Sequence, residues 1–402
     1  MLMRTLTATV DGATVTWRNR RRYRWLLGLV VPLLPFAAWD QATSRDWAVS
    51  WWMGPIWILV LIPLLDLIFR EDRSNPPEWA VSQLADDRFY RWCTYLFLPL
   101  QIAGLVFGCW VLTTVDMTWY DQLGYALTIG TVAGVAINTA HELGHKKERN
   151  ERWMARIALA QTGYGHFYVE HNRGHHTRVA TPEDPASSRL GESFWAFLPR
   201  SVVGGVQSAW ELEAKRLRHQ GVSVWSRDND VLNAWAFSIV LFAALIIGFG
   251  PTIIPFLVIQ AVFGFSLLEV VNYLEHYGLS RQRKFDGRYE RTTPEHSWNS
   301  NHVASNLVLY QLERHSDHHA HPTRRYQTLR HFDESPQLPS GYGLMLGIAF
   351  VPPLWRWAMD KRVLAQYDGD ITRANIQPSK RARILARHGI TEERASAASL
   401  TA

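Results

Sequence analysis

The chain of 402 residues holds only 2 cysteines. That excludes a disulfide scaffold, a zinc ribbon and a cysteine-bound iron–sulfur cluster. It has no Rossmann or flavin glycine motif, so a self-contained electron supply is not expected. Charged residues are scarce at 19%, against 47% hydrophobic, which excludes a disordered chain. No repeat period and no low-complexity tract appears. Lys and Arg exceed Asp and Glu by 42 to 36, yet no nucleic-acid motif accompanies the excess, and no nucleic-acid partner is expected. What is abundant is tryptophan, at 19, and histidine, at 16.

The apolar residues lie in six long runs, at 25–39, 47–69, 93–115, 123–140, 233–250 and 252–274. Each reaches or nearly reaches the roughly 20 residues needed to cross a bilayer. Only Asp66 carries charge in the second, and Gly250-Pro251 joins the last two. Trp25, Trp47, Trp51, Trp92 and Trp119 sit near run ends, as an interfacial aromatic belt does. Basic segments alternate with bare ones: Arg18, Arg20, Arg21, Arg22 and Arg24 precede the first run, and Arg70, Arg73, Arg88 and Arg91 follow the second. The positive-inside rule then places both termini and both long polar blocks in the cytoplasm. The expected fold is an all-α integral membrane protein with six transmembrane helices and a cytoplasmic helical cap holding a histidine-rich dimetal site. The divisions are a basic leader (1–24), spans one to four (25–140), a cap block (141–230), spans five and six (231–276), a second cap block (277–388) and a flexible tail or linker (389–402). Cys93 and Cys109 share the third span and read as packing residues.

Most histidines are clustered. His141 and His145 stand where the fourth span ends, at i and i+4 on one helix face, so both rings can reach one ion. His171, His175 and His176 form a second cluster, His315, His318 and His319 a third, and His276 stands at the exit of the sixth span. His141-Glu142-x-x-His145 matches the zinc-protease pattern, with Glu142 as its base. A zinc protease needs only a third ligand and an open position, and this chain offers nine candidates. One octahedral ion takes at most six, so nine imply two ions. Imidazole suits Fe, Zn, Cu and Ni. Glu142, Glu170, Glu275 and Asp317 are expected to accept the outer ring N–H groups and orient the ligands, with His302 as a further supporting residue. His166, His219, His296, His331 and His388 read as ordinary histidines.

These strings resemble the histidine boxes of membrane-bound non-haem di-iron enzymes, the superfamily of fatty acyl desaturases and hydroxylases. In detail, residues 141–146, 170–176, 272–278 and 312–320 resemble the alkane 1-monooxygenase family. So do 71–78, 297–302 and 321–324, in the same order along the chain. The likeness runs from the first span to about Leu354. Glu313 departs from it, standing where the family often has Gln or another neutral residue. The resemblance implies terminal hydroxylation of medium-chain n-alkanes by O2 at two iron ions in the bacterial inner membrane. It also implies electrons from rubredoxin, itself reduced by an NAD(P)H-dependent reductase. An unactivated C–H bond offers no handle for acid, base or nucleophile, so a metal must do that work.

The alkane dissolves in membrane lipid, and a tunnel among the spans is expected. Trp57, Ile58, Leu61 and Leu65 recur at helical spacing on the second span. The family carries a length-limiting bulky residue there, at the position of Ile58. Lys146, Lys147, Arg149 and Arg152 offer a basic surface for an acidic rubredoxin, or for anionic lipid. The linker-like tail also allows a rubredoxin fused downstream. Three rivals remain: an acyl-lipid desaturase or hydroxylase, a zinc intramembrane protease using His141 and His145 alone, and a metal transporter, which would hold its ligands at mid-membrane.

Overall fold

Glycines set how the spans pack. In the computed structural model, which describes residues 4–391, all six spans are helical: α1 (Arg22–Ser44), α2 (Ala48–Phe69), α3 (Arg88–Thr114), α4 (Trp119–Gly144), α8 (Asp230–Phe249) and α9 (Pro251–His276). Gly130 and Gly134, one turn apart on α4, face α9. A methyl group on Gly130 would meet the Gln260 carbonyl at 2.9 Å, and one on Gly134 would meet Leu267 at 2.9 Å and the Gly264 carbonyl at 3.1 Å. Small residues at this spacing let two membrane helices approach closely. The pair α4 and α9 therefore forms the middle of the bundle. Of the apolar window of α4, 89% is buried, against 17% for α2 and 22% for α8, which face outward.

Between the spans lie α5 (Arg149–Ala160), α6 (residues 167–178) and α7 (Phe194–His219). After α9 come α10 (Val303–Val308), α11 (His315–Ala320) and α12 (Tyr342–Ala349). Residues 277–302 and 321–341 hold no helix longer than one turn, so this half of the cap is mostly loop. Asp66, the lone charge of the second run, is buried and caps α10 from outside. Its Oδ1 accepts from the Ala304 N–H at 2.8 Å and the Ser305 N–H at 3.1 Å. An acidic group there satisfies donors that a helix start leaves orphaned.

The fold is helical as expected. The leader adds one element outside that expectation: Arg4–Val10 (β1) and Ala13–Asn19 (β2) form an antiparallel hairpin, Arg4 opposite Asn19 and Val10 opposite Ala13. Asp11 and Gly12 turn it with φ of 50° and 78°. Asp-Gly between alternating Thr and apolar residues is a strong hairpin signal. The tail from 392 onward lies outside the described residues.

Candidate metal centre

The nine histidines named from sequence come together, in two groups. His141, His145, His171, His176 and His318 form one; His175, His276, His315 and His319 form the other. Within each group the facing ring nitrogens all lie within 4.8 Å of one another. In the first, Nε2 of His318 lies 2.8 Å from that of His141 and 3.0 Å from that of His176, and His176 is 3.1 Å from His171. In the second, Nε2 of His319 lies 2.8 Å from that of His315 and 3.3 Å from that of His175.

Such contacts test whether a metal fits. Burial pushes His145, His171, His176, His318 and His319 well below the usual imidazole range, and their neighbours' charges add to it. Neutral rings hold a lone pair on one nitrogen. Ligands about 2.1 Å from a shared ion stand ~3 Å apart when at right angles, which is the separation seen. Nε2 of His145 and of His276 are buried without any hydrogen-bond partner. The donor set is all imidazole, which suits iron, zinc, copper and nickel.

The division differs from simple helical spacing. His141 and His145 share a group, as i and i+4 on an α-helix should. His171 and His175 do not: His171 pairs with His176, and His175 crosses to the other group. The reason is local, since residues Glu170–His175 form a π-turn within α6. Its wider turn puts i and i+5, not i and i+4, on one side, and such turns recur at functional sites. In α11, His315 and His319 share the second group while His318 serves the first, so this helix bridges the two.

The carboxylates stand elsewhere than expected. Glu142 is buried, paired with Lys146 at 3.1 Å and accepting from the Tyr326 N–H at 3.3 Å, so it orients no ligand and is not free to act as a base. Asp317 is buried and chelates Arg324, both oxygens at 2.7 Å, and accepts from the Arg330 N–H. Glu170 accepts from Arg178 at 3.0 Å and Ser208 at 3.2 Å, and burial raises it to about 7. Glu275 does reach a ligand, but on the inner side: its Oε2 lies 3.1 Å from Nε2 of His315, while Oε1 accepts from the Tyr342 hydroxyl at 2.8 Å. The His302 ring meets the Ser300 hydroxyl through Nδ1 at 2.9 Å and belongs to neither group.

The orienting carboxylate that sequence reasoning missed is Asp184. Its Oδ2 lies 2.9 Å from Nδ1 of His175, and Ser187 and the Ala186 N–H fix it in turn. Both partners are buried. Burial alone would lower His175, but Asp184 holds it above the usual imidazole range and is itself held low. The only clue in the chain is the Glu183-Asp184 pair between Pro182 and Pro185, soon after the second cluster.

The remaining sites are dispersed. Trp57 and Leu65 line an apolar cavity, Ile58 is buried in the core against Gly343, and Leu61 is on the outer surface. A π-turn at Trp57–Leu61 shifts the helix phase, so the four do not share a face. Lys147, Arg149 and Arg152 are exposed. Lys146 is not available for docking: it is buried, paired with Glu142, and donates to the Arg324 carbonyl at 2.8 Å.

Six membrane-length helices, two of which carry histidines of a nine-histidine double cluster at their ends, define a membrane protein of the histidine-box class. The family described as Fatty acid desaturase matches residues 117–347. The chain is 47% identical over 377 residues to an alkane 1-monooxygenase of Acinetobacter baylyi, covering 93% of this chain and 92% of that one. It is 48% identical over 373 residues to alkane 1-monooxygenase 1 of Alcanivorax borkumensis, covering 92% of each. It is also 27% identical over 322 residues to the xylene/toluene monooxygenase hydroxylase component XylM of Pseudomonas putida, covering 79% of this chain and 83% of that one. Within the desaturase superfamily, the chain belongs to the alkane 1-monooxygenases.

Proposed function

We propose that the protein hydroxylates medium-chain n-alkanes at the terminal carbon, using O2 and two electrons from rubredoxin at a pair of iron ions. One observation carries this reading: two imidazole-only groups of five and four, sharing α6 and α11, in a chain nearly half identical to alkane 1-monooxygenases along almost its whole length. In the balanced reaction one oxygen atom enters the alcohol. The other leaves as water, with two electrons and two protons.

When bound, the metal pair supplies the O2 activation and C–H cleavage that no side chain can supply. The residues do the rest. His141, His145, His171, His176 and His318 hold one ion, and His175, His276, His315 and His319 the other. Asp184 fixes the ring of His175 and raises its basicity as a ligand. Glu275 places negative charge on the inner edge of the second group. Nearly every ligand is buried, which excludes bulk water and side reactions. Ile58, buried on α2, limits the length of the bound chain. Electrons come from a partner, because 2 buried cysteines cannot hold a redox cluster. Lys147, Arg149 and Arg152 steer that acidic partner from the cytoplasmic side of the inner membrane.

The protease reading asks Glu142 to act as base over a single zinc, and the Glu142–Lys146 pair opposes it. The transporter reading asks for ligands at mid-span, and these lie at span ends. A fatty acyl substrate keeps the support of the superfamily match alone. Supplying octane, O2 and a rubredoxin reducing system to purified protein, with metal analysis on the same sample, tests the proposal. 1-Octanol with two irons per chain is expected. Two irons without alcohol would point to an acyl lipid, and one zinc would end the iron reading.

A further inference from the structure

An apolar cavity of about 360 Å³ opens on the flank of the bundle, away from both histidine groups. Leu27 and Val30 of α1, Trp57, Ile62 and Leu65 of α2, and Val308 of α10 line it. Its volume falls within the range of small-molecule sites. Leu27 and Phe69 at its edge are exposed on the lipid-facing surface, so it can fill from the membrane. None of the nine histidines lines it. One wall is α10, and just past α10 the Leu309 carbonyl accepts from Asn138, one turn before His141 on α4.

The mouth is basic. Arg24 lines it, and Phe69 brings the end of α2, where the Arg70 carbonyl accepts from the Val303 N–H at 3.0 Å. Arg24 and Arg70 are both exposed. The acids nearby are committed to other partners. Asp72 pairs with Arg21, Glu71 with Arg73 at 2.8 Å, and Asp66 caps α10. Neither Arg24 nor Arg70 forms an ion pair among the described residues. One unpaired guanidinium, that of Arg24, lines the apolar slot, and a second unpaired arginine, Arg70, follows the lining residue Phe69 in the chain. An alkane has no use for them, whereas a phosphate does.

We propose that this cavity holds one acyl chain of an anionic phospholipid, with Arg24 and Arg70 binding its phosphate. The inference rests on the membrane character of the chain and not on the proposed reaction. A lipid wedged between α1, α2 and α10 braces the end of α2 against the cap.

The test uses the full-length protein, stripped of lipid in a neutral detergent. It is then given dioleoylphosphatidylglycerol, dioleoylphosphatidylcholine or inorganic phosphate. Native mass spectrometry and thermal melting are the readouts. One phosphatidylglycerol per chain and a raised melting temperature are expected, with little effect from the other two. Arg24→Gln with Arg70→Gln should weaken the retained lipid on the order of tenfold. Leu27→Trp, which plugs the lip without touching charge, should also displace it, while metal content stays unchanged. Three results would overturn the proposal. Phosphatidylcholine could bind as well; phosphate alone could give the full melting shift, leaving an anion site only; or Leu27→Trp could leave phosphatidylglycerol bound, leaving surface attraction only. Displacement of the lipid by octane would reassign the cavity to the substrate route.

Discussion

The two histidine groups are built differently. Among the described residues the group of five has no carboxylate on any ring nitrogen, and its support comes from outside: the buried Glu142–Lys146 pair beside it, and Arg325 clamped by Glu148 at 2.9 Å and Glu151 at 3.1 Å. The group of four has one imidazole fewer but two carboxylates in contact, Asp184 on the outer nitrogen of His175 and Glu275 beside the inner nitrogen of His315. Neutral imidazoles leave a cation's charge uncompensated, and carboxylates compensate it. The difference teaches that the two positions are not equivalent. The second carries compensating charge and a fixed ring. The first relies on number of ligands and on packing.

Four variants put that contrast to the test. Lys146→Met leaves Glu142 buried and unpaired, and removing one member of a buried pair costs roughly 3–5 kcal/mol. Melting should show the loss, and metal analysis should show it first in the group of five. Asp184→Asn removes the acceptor from His175. Losing such a partner typically weakens metal binding or activity about 10–100-fold. Metal titration should place that loss in the group of four alone, and an equal loss from both groups would erase the distinction. Charge reversal at Lys147, Arg149 and Arg152 should slow association with reduced rubredoxin severalfold at low salt and much less at high salt. Stopped-flow reduction would read this, and unchanged rates would remove the docking surface. Ile58→Trp, which changes none of the nine histidines, should leave both metals in place and shift products toward shorter alkanes. Gas chromatography across C8 to C16 substrates measures it, and an unmoved profile would take Ile58 out of the substrate path.

How much of this was legible in the sequence depends on range. The spans were readable because hydropathy is summed over many residues. The ligands were readable because clusters of histidine at span ends have little other use. Assigning ligands to ions was not, because His171 and His175 read as an i, i+4 pair until the π-turn of α6 is seen. A π-turn leaves no periodic mark over so short a stretch. Asp184 was hidden as one acid in a loop, brought to His175 only by tertiary folding. Lys146 looked like surface charge, since sequence does not say which way a basic side chain points at the end of a buried helix. The hairpin is different: Asp11-Gly12 between alternating residues is a local signal, complete in the sequence itself.

The central claim is that His175 and His176, neighbours in the chain, serve different ions. Substituting each by alanine and measuring metal content with Mössbauer spectra of iron-57-loaded protein tests it most directly. Wild-type protein should hold two irons per chain and show two distinct signals. His176→Ala should weaken the signal from the group of five, and His175→Ala the signal from the group of four, each leaving the other in place. Loss of the same signal in both variants, or a single metal per chain in the wild type, would contradict the account.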